Sequence, residues 1–103
     1  MTSQSPEVIT GPVLIRDGIT YHQDTNELVT GIVEEFYDNG QLRWRTNFID
    51  GKENGLQELF YENGQLEWRG NWRDGDFDGL SEYFDRNGNL TVTSTYRNGE
   101  LVE

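Results

Sequence analysis

Short apolar and aromatic runs alternate along this chain with Asn-Gly and Asp-Gly pairs that return at fixed intervals. Residues 31–54 read GIVEEFYDNGQLRWRTNFIDGKEN and residues 55–78 read GLQELFYENGQLEWRGNWRDGDFD, identical at thirteen positions without a gap. Residues 79–102, GLSEYFDRNGNLTVTSTYRNGELV, continue the register. Such self-similarity dictates the architecture before any residue is considered singly. Asn-Gly recurs at Asn39-Gly40, Asn63-Gly64 and Asn87-Gly88; a second turn signal recurs at Gly51, Gly75 and Gly99, and a leading glycine at Gly31, Gly55 and Gly79. Each repeat thus carries two turn signals with an aromatic-rich run on either side. That pattern predicts one β-hairpin per repeat and hairpins in series. The expected fold is all-β, a single-layer antiparallel β-meander of hairpin repeats about 24 residues long.

Turn length decides which side chains share a face. A two-residue turn at Asn39-Gly40 sets Tyr37 opposite Leu42 and Phe36 opposite Arg43, mixing aromatic and basic residues. A three-residue loop over 38–40, with Gly40 left-handed, sets Phe36 opposite Leu42. A one-residue slip exchanges the two faces, so the cleaner separation selects the second register. One face then carries Ile32, Phe36, Leu42, Trp44 and Phe48, with Leu56, Phe60, Leu66, Trp68 and Trp72, then Leu80, Phe84, Leu90, Val92 and Tyr96, as counterparts. Arg43, Arg45, Asn47, Glu67 and Arg69 fall on the other, mostly polar face. Glu34, Glu58 and Glu82 fall by alternation on the aromatic face, Glu34 opposite Trp44 and Glu58 opposite Trp68.

Residues 18–30 read as a leading hairpin of divergent sequence (Ile19, Tyr21, Leu28, Val29), followed by repeats at 31–54 and 55–78 and by repeat three with its cap at 79–103. Residues 1–17 form an N-terminal leader, partly disordered. Val13, Leu14 and Ile15 there form a strand or cover one face of the sheet, and residues 1–6 are expected to be loose.

Hydrophobic residues are 33 % of the chain and aromatics 13 %, which argues against disorder and for a thin structure held by large flat side chains. Eight basic residues against nineteen acidic ones give a formal charge of −11. Such a chain repels phosphate, so neither nucleic acid nor an anionic membrane surface is an expected partner. Cysteine is absent and His22 is the single histidine, which removes disulfide, thiol and zinc chemistry. The first residues lack the charge and apolar run of a signal peptide, and no apolar run is long enough to span a membrane; the expected location is cytoplasmic.

Three patterns bear on chemistry. Asp74, Asp76, Asp78, Gly79 and Asp85 imitate the spacing of a calcium loop, but the same segment of repeat one reads DGKENG, so a turn explains them better than a metal. The glutamates at 34, 58 and 82 recur with the repeat and read as structural acceptors in preference to an acid–base pair. The positions of Trp44, Trp68 and Trp72 match the repeat, Trp72 answering to Phe48, which fits core packing; stacking on bases or sugars is the alternative. No cofactor, metal site or catalytic constellation is expected, and the chain reads as a non-enzyme.

Written as Gly-x-x-x-x-[Phe/Tyr]-[Tyr/Phe]-x-x-Asn-Gly-x-Leu, followed by Asp-Gly and a new Gly, the repeat resembles the bacterial variant MORN repeat. Residues 19–31, ITYHQDTNELVTG, resemble the opening of the YwqK family of antitoxins. Repeat three departs from the pattern at Asp85 and Val92, as a terminal cap does. The resemblance implies an elongated meander and an immunity role, in which the chain binds a basic cognate toxin domain, a nuclease or deaminase, and occludes its groove. A scaffold that self-associates is the alternative it implies. Residues 55–78 hold six carboxylates against two arginines, the largest local excess. Asp74, Asp76 and Asp78, with Glu62 and Glu67, are therefore the expected steering residues for a basic partner, and Trp44 and Trp68 the expected contact on the aromatic face.

Overall fold

The computed structural model describes residues 7–102, so the expectation for residues 1–6 lies outside the described chain. Ten strands follow one another: β1 (Val8–Ile9), β2 (Val13–Arg16), β3 (Ile19–His22), β4 (Gly31–Phe36), β5 (Leu42–Ile49), β6 (Lys52–Phe60), β7 (Leu66–Arg73), β8 (Asp76–Phe84), β9 (Leu90–Arg97) and β10 (Glu100–Leu101). No helix occurs among the described residues, and the protein is an all-β meander. Strands β4 to β10 pair antiparallel in sequence order, and β1 joins the outer edge of β4 in parallel. A separate hairpin pairs β2 with β3.

Two kinds of turn alternate. At one end of the sheet, Asp50-Gly51, Asp74-Gly75 and Asn98-Gly99 have φ of 49° and 82°, 48° and 88°, and 52° and 84°. Two successive positive φ values define the type I′ hairpin turn, whose twist matches that of the strands it joins. At the other end, Tyr37 N donates to Gln41 O at 2.8 Å and Gly40, at φ 88°, donates its N–H to Tyr37 O at 2.9 Å. This is the expected three-residue loop with a left-handed glycine, and it recurs with Gly64 and Gly88 at 89° and 90°.

Beyond each loop the structure departs from plain alternation. Phe36 pairs with Leu42 as expected, but the next pair is Glu35 with Trp44. One extra residue, Arg43, is accommodated as a bulge, and the same shift recurs at Glu67 and Thr91. A bulge changes the parity of every position after it. The expected faces are corrected accordingly. Ile32, Glu34 and Phe36 share a face with Arg45, whereas Val33 and Glu35 share the opposite face with Trp44, Thr46 and Phe48.

The loop ends also tie the repeats together. Tyr37 Oη donates to Phe60 O at 2.6 Å and Tyr61 Oη to Phe84 O at 2.7 Å, each reaching into the following repeat. Asp85 replaces this tyrosine in repeat three and accepts instead from the backbone N–H groups of Asn87 and Asn89 within its own loop, at 2.9 and 3.0 Å.

The buried apolar core sits at the N-terminal end: Ile9, Val29, Val33 and Phe48, with Val13 and Trp44 packed against it. Thr20 N donates to Gly51 O at 2.8 Å, Gly51 N to Val29 O at 2.7 Å and Val29 N to Thr20 O at 3.1 Å, binding the β2–β3 hairpin to the first repeat. Val13–Ile15 are thus both a strand and a cover, and the sheet is two layers deep there and one layer elsewhere. The boundary expected after residue 17 falls inside the tight Asp17-Gly18 turn of that hairpin, so residues 13–17 belong to the folded body. The molecule is not elongated: its principal extents are 40 × 36 × 35 Å. Strands of a sheet ordinarily rotate by roughly 20–25° from one to the next and bulges add to the twist, which accounts for the near-equal extents.

Candidate binding face

The face bearing Trp44 and Phe48 continues through repeats two and three as a connected aromatic cluster. Trp72 stacks on Phe77 with ring centroids 4.1 Å apart, and Phe77 lies 5.2 Å from Tyr96. Trp68 meets Phe77 edge-on at 6.0 Å and Tyr83 at 6.2 Å. Each indole N–H has its own acceptor. Trp44 Nε1 donates to Glu35 Oε2 at 3.1 Å, Trp68 Nε1 to Ser81 Oγ at 2.8 Å, and Trp72 Nε1 to Gln57 Oε1 at 2.7 Å. Gln57 Nε2 passes the chain on to Thr46 Oγ1 at 2.9 Å.

Equivalent tryptophans take different acceptors for a steric reason. Trp68 lies over Gly70, where a β-carbon would collide with its six-membered ring. The counterpart of Gly70 in repeat one is Thr46, and there Trp44 turns to Glu35 instead. Trp68 is consequently buried, 5 % exposed, while its neighbour Tyr83 is 50 % exposed.

Two adjoining hollows mark this face. One, of about 260 Å³, is lined by Ile15, Trp44, Phe48 and Glu53 together with Gln57 and Leu59. The other, of about 240 Å³, shares Gln57 and Leu59 and adds Glu67, Trp68, Phe77 and Tyr83. Neither wall contains a lysine or arginine, while a neighbouring hollow that shares Trp44, Leu59 and Glu67 with them holds Arg43. The carboxylates of Glu53 and Glu67 form no ion pair among the described residues. The surface is apolar, aromatic and negatively charged.

The opposite face holds a charge ladder. Arg45 Nε donates to Glu34 at 2.9 Å and its Nη1 to Glu58 at 3.2 Å, while Arg69 Nε donates to Glu82 at 2.6 Å. Glu34, Glu58 and Glu82 therefore accept from guanidinium groups and not from tryptophan, and they lie on the face away from the aromatics. The two carboxylates raise the Arg45 pKa above its ordinary value, chiefly through the hydrogen bond to Glu34. Hydrogen bonds from its own loop, that of Asn89 first, hold the Asp85 carboxyl below the usual carboxylate range.

The expected contact residues do not form one patch. Glu62 lies in the loop before β7, and Asp74 in the turn after it. Eight strand residues separate them, roughly 26 Å at the ordinary rise per residue. Asp74, Asp76 and Asp78 stay together at the type I′ end, with Asp78 3.8 Å from Arg73. The calcium-loop spacing places Asp74 and Asp85 at opposite ends of β8, out of reach of a common ion. Glu67, expected on the polar face, is turned by its bulge to stand beside Trp68. Trp44 packs against the N-terminal core. Tyr83, Phe77 and Leu59 complete the surface and were not foreseen; they occupy repeat positions whose residue type changes (Glu35, Leu59, Tyr83; Val29, Glu53, Phe77), and that variation was the available signal.

The pattern of the MORN repeat variant matches the chain three times, over residues 29–50, 53–74 and 77–98. These matches share the 24-residue period and start two residues before each leading glycine. No curated protein and no solved structure matches the chain. Three matched repeats, spanning well over half the residues and folded as successive hairpins of one meander, establish the relationship: the chain belongs to the MORN repeat variant family.

Proposed function

We propose that this chain is a protein-interaction module that binds a basic protein on the aromatic face of its second and third repeats. MORN repeats imply protein–protein or scaffold roles. The observation that carries the reading is the uneven cover of that face. The β2–β3 hairpin packs over repeat one, whereas Tyr83 and Val92 each remain 50 % exposed on the same face farther along. An exposed aromatic surface with unpaired carboxylates, on a chain of charge −11, is complementary to a cationic partner. The finer form of the proposal is an immunity role: the partner is a toxin domain whose basic substrate groove this acidic face covers. Asp74, Asp76 and Asp78 steer the encounter, and the groove around Trp68 holds the complex.

Co-expression with the protein encoded beside this chain is the test. A co-purifying complex, together with relief of that protein's toxicity, supports the immunity form; a complex without such relief supports the interaction module alone. Absence of any complex overturns both. A second reading, self-assembly, draws on Phe36, Leu80 and Leu90, which are 48 %, 43 % and 51 % exposed. Sedimentation of the isolated chain separates it: a concentration-dependent rise in mass favours assembly, and a constant monomer excludes it.

A further inference from the structure

The bulge residue after each three-residue loop has reversed its charge between repeats one and two. In repeat one it is Arg43, which lies 3.4 Å from Glu35 and 5.6 Å from the centre of the Tyr37 ring. In repeat two the same position is Glu67, and the position equivalent to Glu35 is Leu59. The cation has become an anion and its internal counter-charge has become an apolar side chain. Glu67 is half-buried and has neither an ion pair nor a side-chain hydrogen bond among the described residues. Arg43, which borders a neighbouring hollow together with Glu67, is paired with Glu35, and Arg86 lies over the Tyr61 ring at 4.9 Å. On one side of Glu67 stand Leu59, Trp68, Phe77 and Tyr83, and on the other Arg43 and Trp44.

A carboxylate at the rim of a hollow with three aromatic walls is the chemistry that holds a planar cation. A guanidinium donates two parallel hydrogen bonds to a carboxylate and stacks on aromatic rings, whereas an ammonium offers a compact, strongly hydrated charge. We infer that the hollow beside Glu67 takes an arginine side chain of the basic partner, its aliphatic stem over Leu59 and Trp68 and its guanidinium against Glu67 and Tyr83. Arg43 with Glu35 and Tyr37 is the internal version of the same contact, supplied in repeat one by the chain itself. The inference rests on the interaction reading above and names the partner group that this part of the face recognises.

The three indole N–H signals of the 15N-labelled chain report on Trp44, Trp68 and Trp72 separately. Titration with N-acetyl-arginine amide is expected to shift the Trp68 signal saturably and to shift Trp44, which borders the hollow on the other side of Glu67, clearly less. N-acetyl-lysine amide should bind more weakly, and the neutral N-acetyl-citrulline amide should produce no saturable shift. Glu67→Gln should weaken the arginine titration by about fivefold, the scale of a partly exposed ion pair, with the unliganded indole signals unmoved. Tyr83→Leu should weaken it without removing a charge. Equal shifts at all three indoles, an equal response to citrulline, no response at Trp68, or an unaltered titration of Glu67→Gln would each overturn the inference. The titration uses no partner protein, so its failure removes the arginine anchor and leaves the interaction reading standing; failure to co-purify a partner removes the interaction reading and the partner arginine with it, whatever the titration shows.

Discussion

The indole of Trp68 occupies the space that a β-carbon at Gly70 would take, and from there it donates to Ser81 Oγ at 2.8 Å. This contact separates repeat two from repeat one, where Thr46 stands at the corresponding position, 2 % exposed. It also sets the depth of the hollow, since Trp68 forms its wall beside Phe77 and Tyr83.

Gly70→Ala tests it through the sign of the effect. Gly70 lies outside the positive-φ residues, so with free space an alanine there would stabilise the fold by reducing the entropy of the unfolded chain. The overlap predicts the reverse, a loss of about 1–3 kcal/mol from overpacking. A denaturant titration reads it, with a lower midpoint expected at unchanged slope.

The two faces are assigned by the bulge at Arg43, and two phenylalanines check that assignment. Phe48 is 8 % exposed in the core and Phe36 is 48 % exposed on the opposite face. Phe48→Ala should cost about 3–5 kcal/mol, the range for a buried phenylalanine. Phe36→Ala should cost clearly less. Equal losses would return both residues to one face and remove the bulge.

Arg45 bridges Glu34 and Glu58, whose side chains are 16 % and 18 % exposed. Arg45→Leu leaves two carboxylates facing each other without a cation. Because Arg45 itself is 39 % exposed, solvent screening limits the expected loss at neutral pH to about 1 kcal/mol. Salt screens the repulsion between the two carboxylates as it screens the ion pairs they lose, so the deficit against the parent protein should shrink as ionic strength rises. Thermal midpoints of the two proteins at low and high salt give the comparison, and a deficit that widens with added salt would contradict the ladder.

The Asp85 carboxyl pKa lies below the ordinary aspartate value of 3.8, chiefly because Asn89 and then Asn87 donate backbone N–H groups to it. A lowered folded pKa means that the stabilisation is present above the unfolded pKa and is lost as pH falls through the folded one. The amide shifts of Asn87 and Asn89 should therefore titrate together, with a midpoint below 3.8. Asp85→Asn should abolish that titration. Midpoints at or above the unfolded value would show that the loop is not closed by this carboxylate.

The period, the hairpins and both kinds of turn were legible in the sequence because glycine, asparagine and aspartate at turns answer to local backbone sterics. The left-handed Gly40 in its three-residue loop is the clearest case. The faces beyond Arg43, Glu67 and Thr91 were not legible in the same way, because a bulge has no fixed composition and an aromatic run reads as plain alternation with or without it. One clue was present: Glu34 and Glu58 make better chemical sense opposite Arg45 than on an aromatic face. The covering hairpin at residues 13–22 depends on long-range packing against Val33 and Phe48, which no local pattern encodes. Glu67 and Trp68 were foreseen as contact residues on separate faces; the bulge is what brings them together.

The most direct measurement of the central claim is the dissociation constant of the complex between this chain and the protein encoded beside it, for the parent and two single variants. Tyr83→Ala removes an exposed aromatic from the proposed binding face, and Phe84→Ala removes its chain neighbour on the charge-ladder face, where Arg69 lies 5.6 Å from the ring centre. An aromatic anchor at an interface predicts that Tyr83→Ala weakens binding by about tenfold or more, while Phe84→Ala changes it little. The reverse order, or equal small effects from both, would contradict the claim that the uncovered aromatic face of repeats two and three is the binding surface.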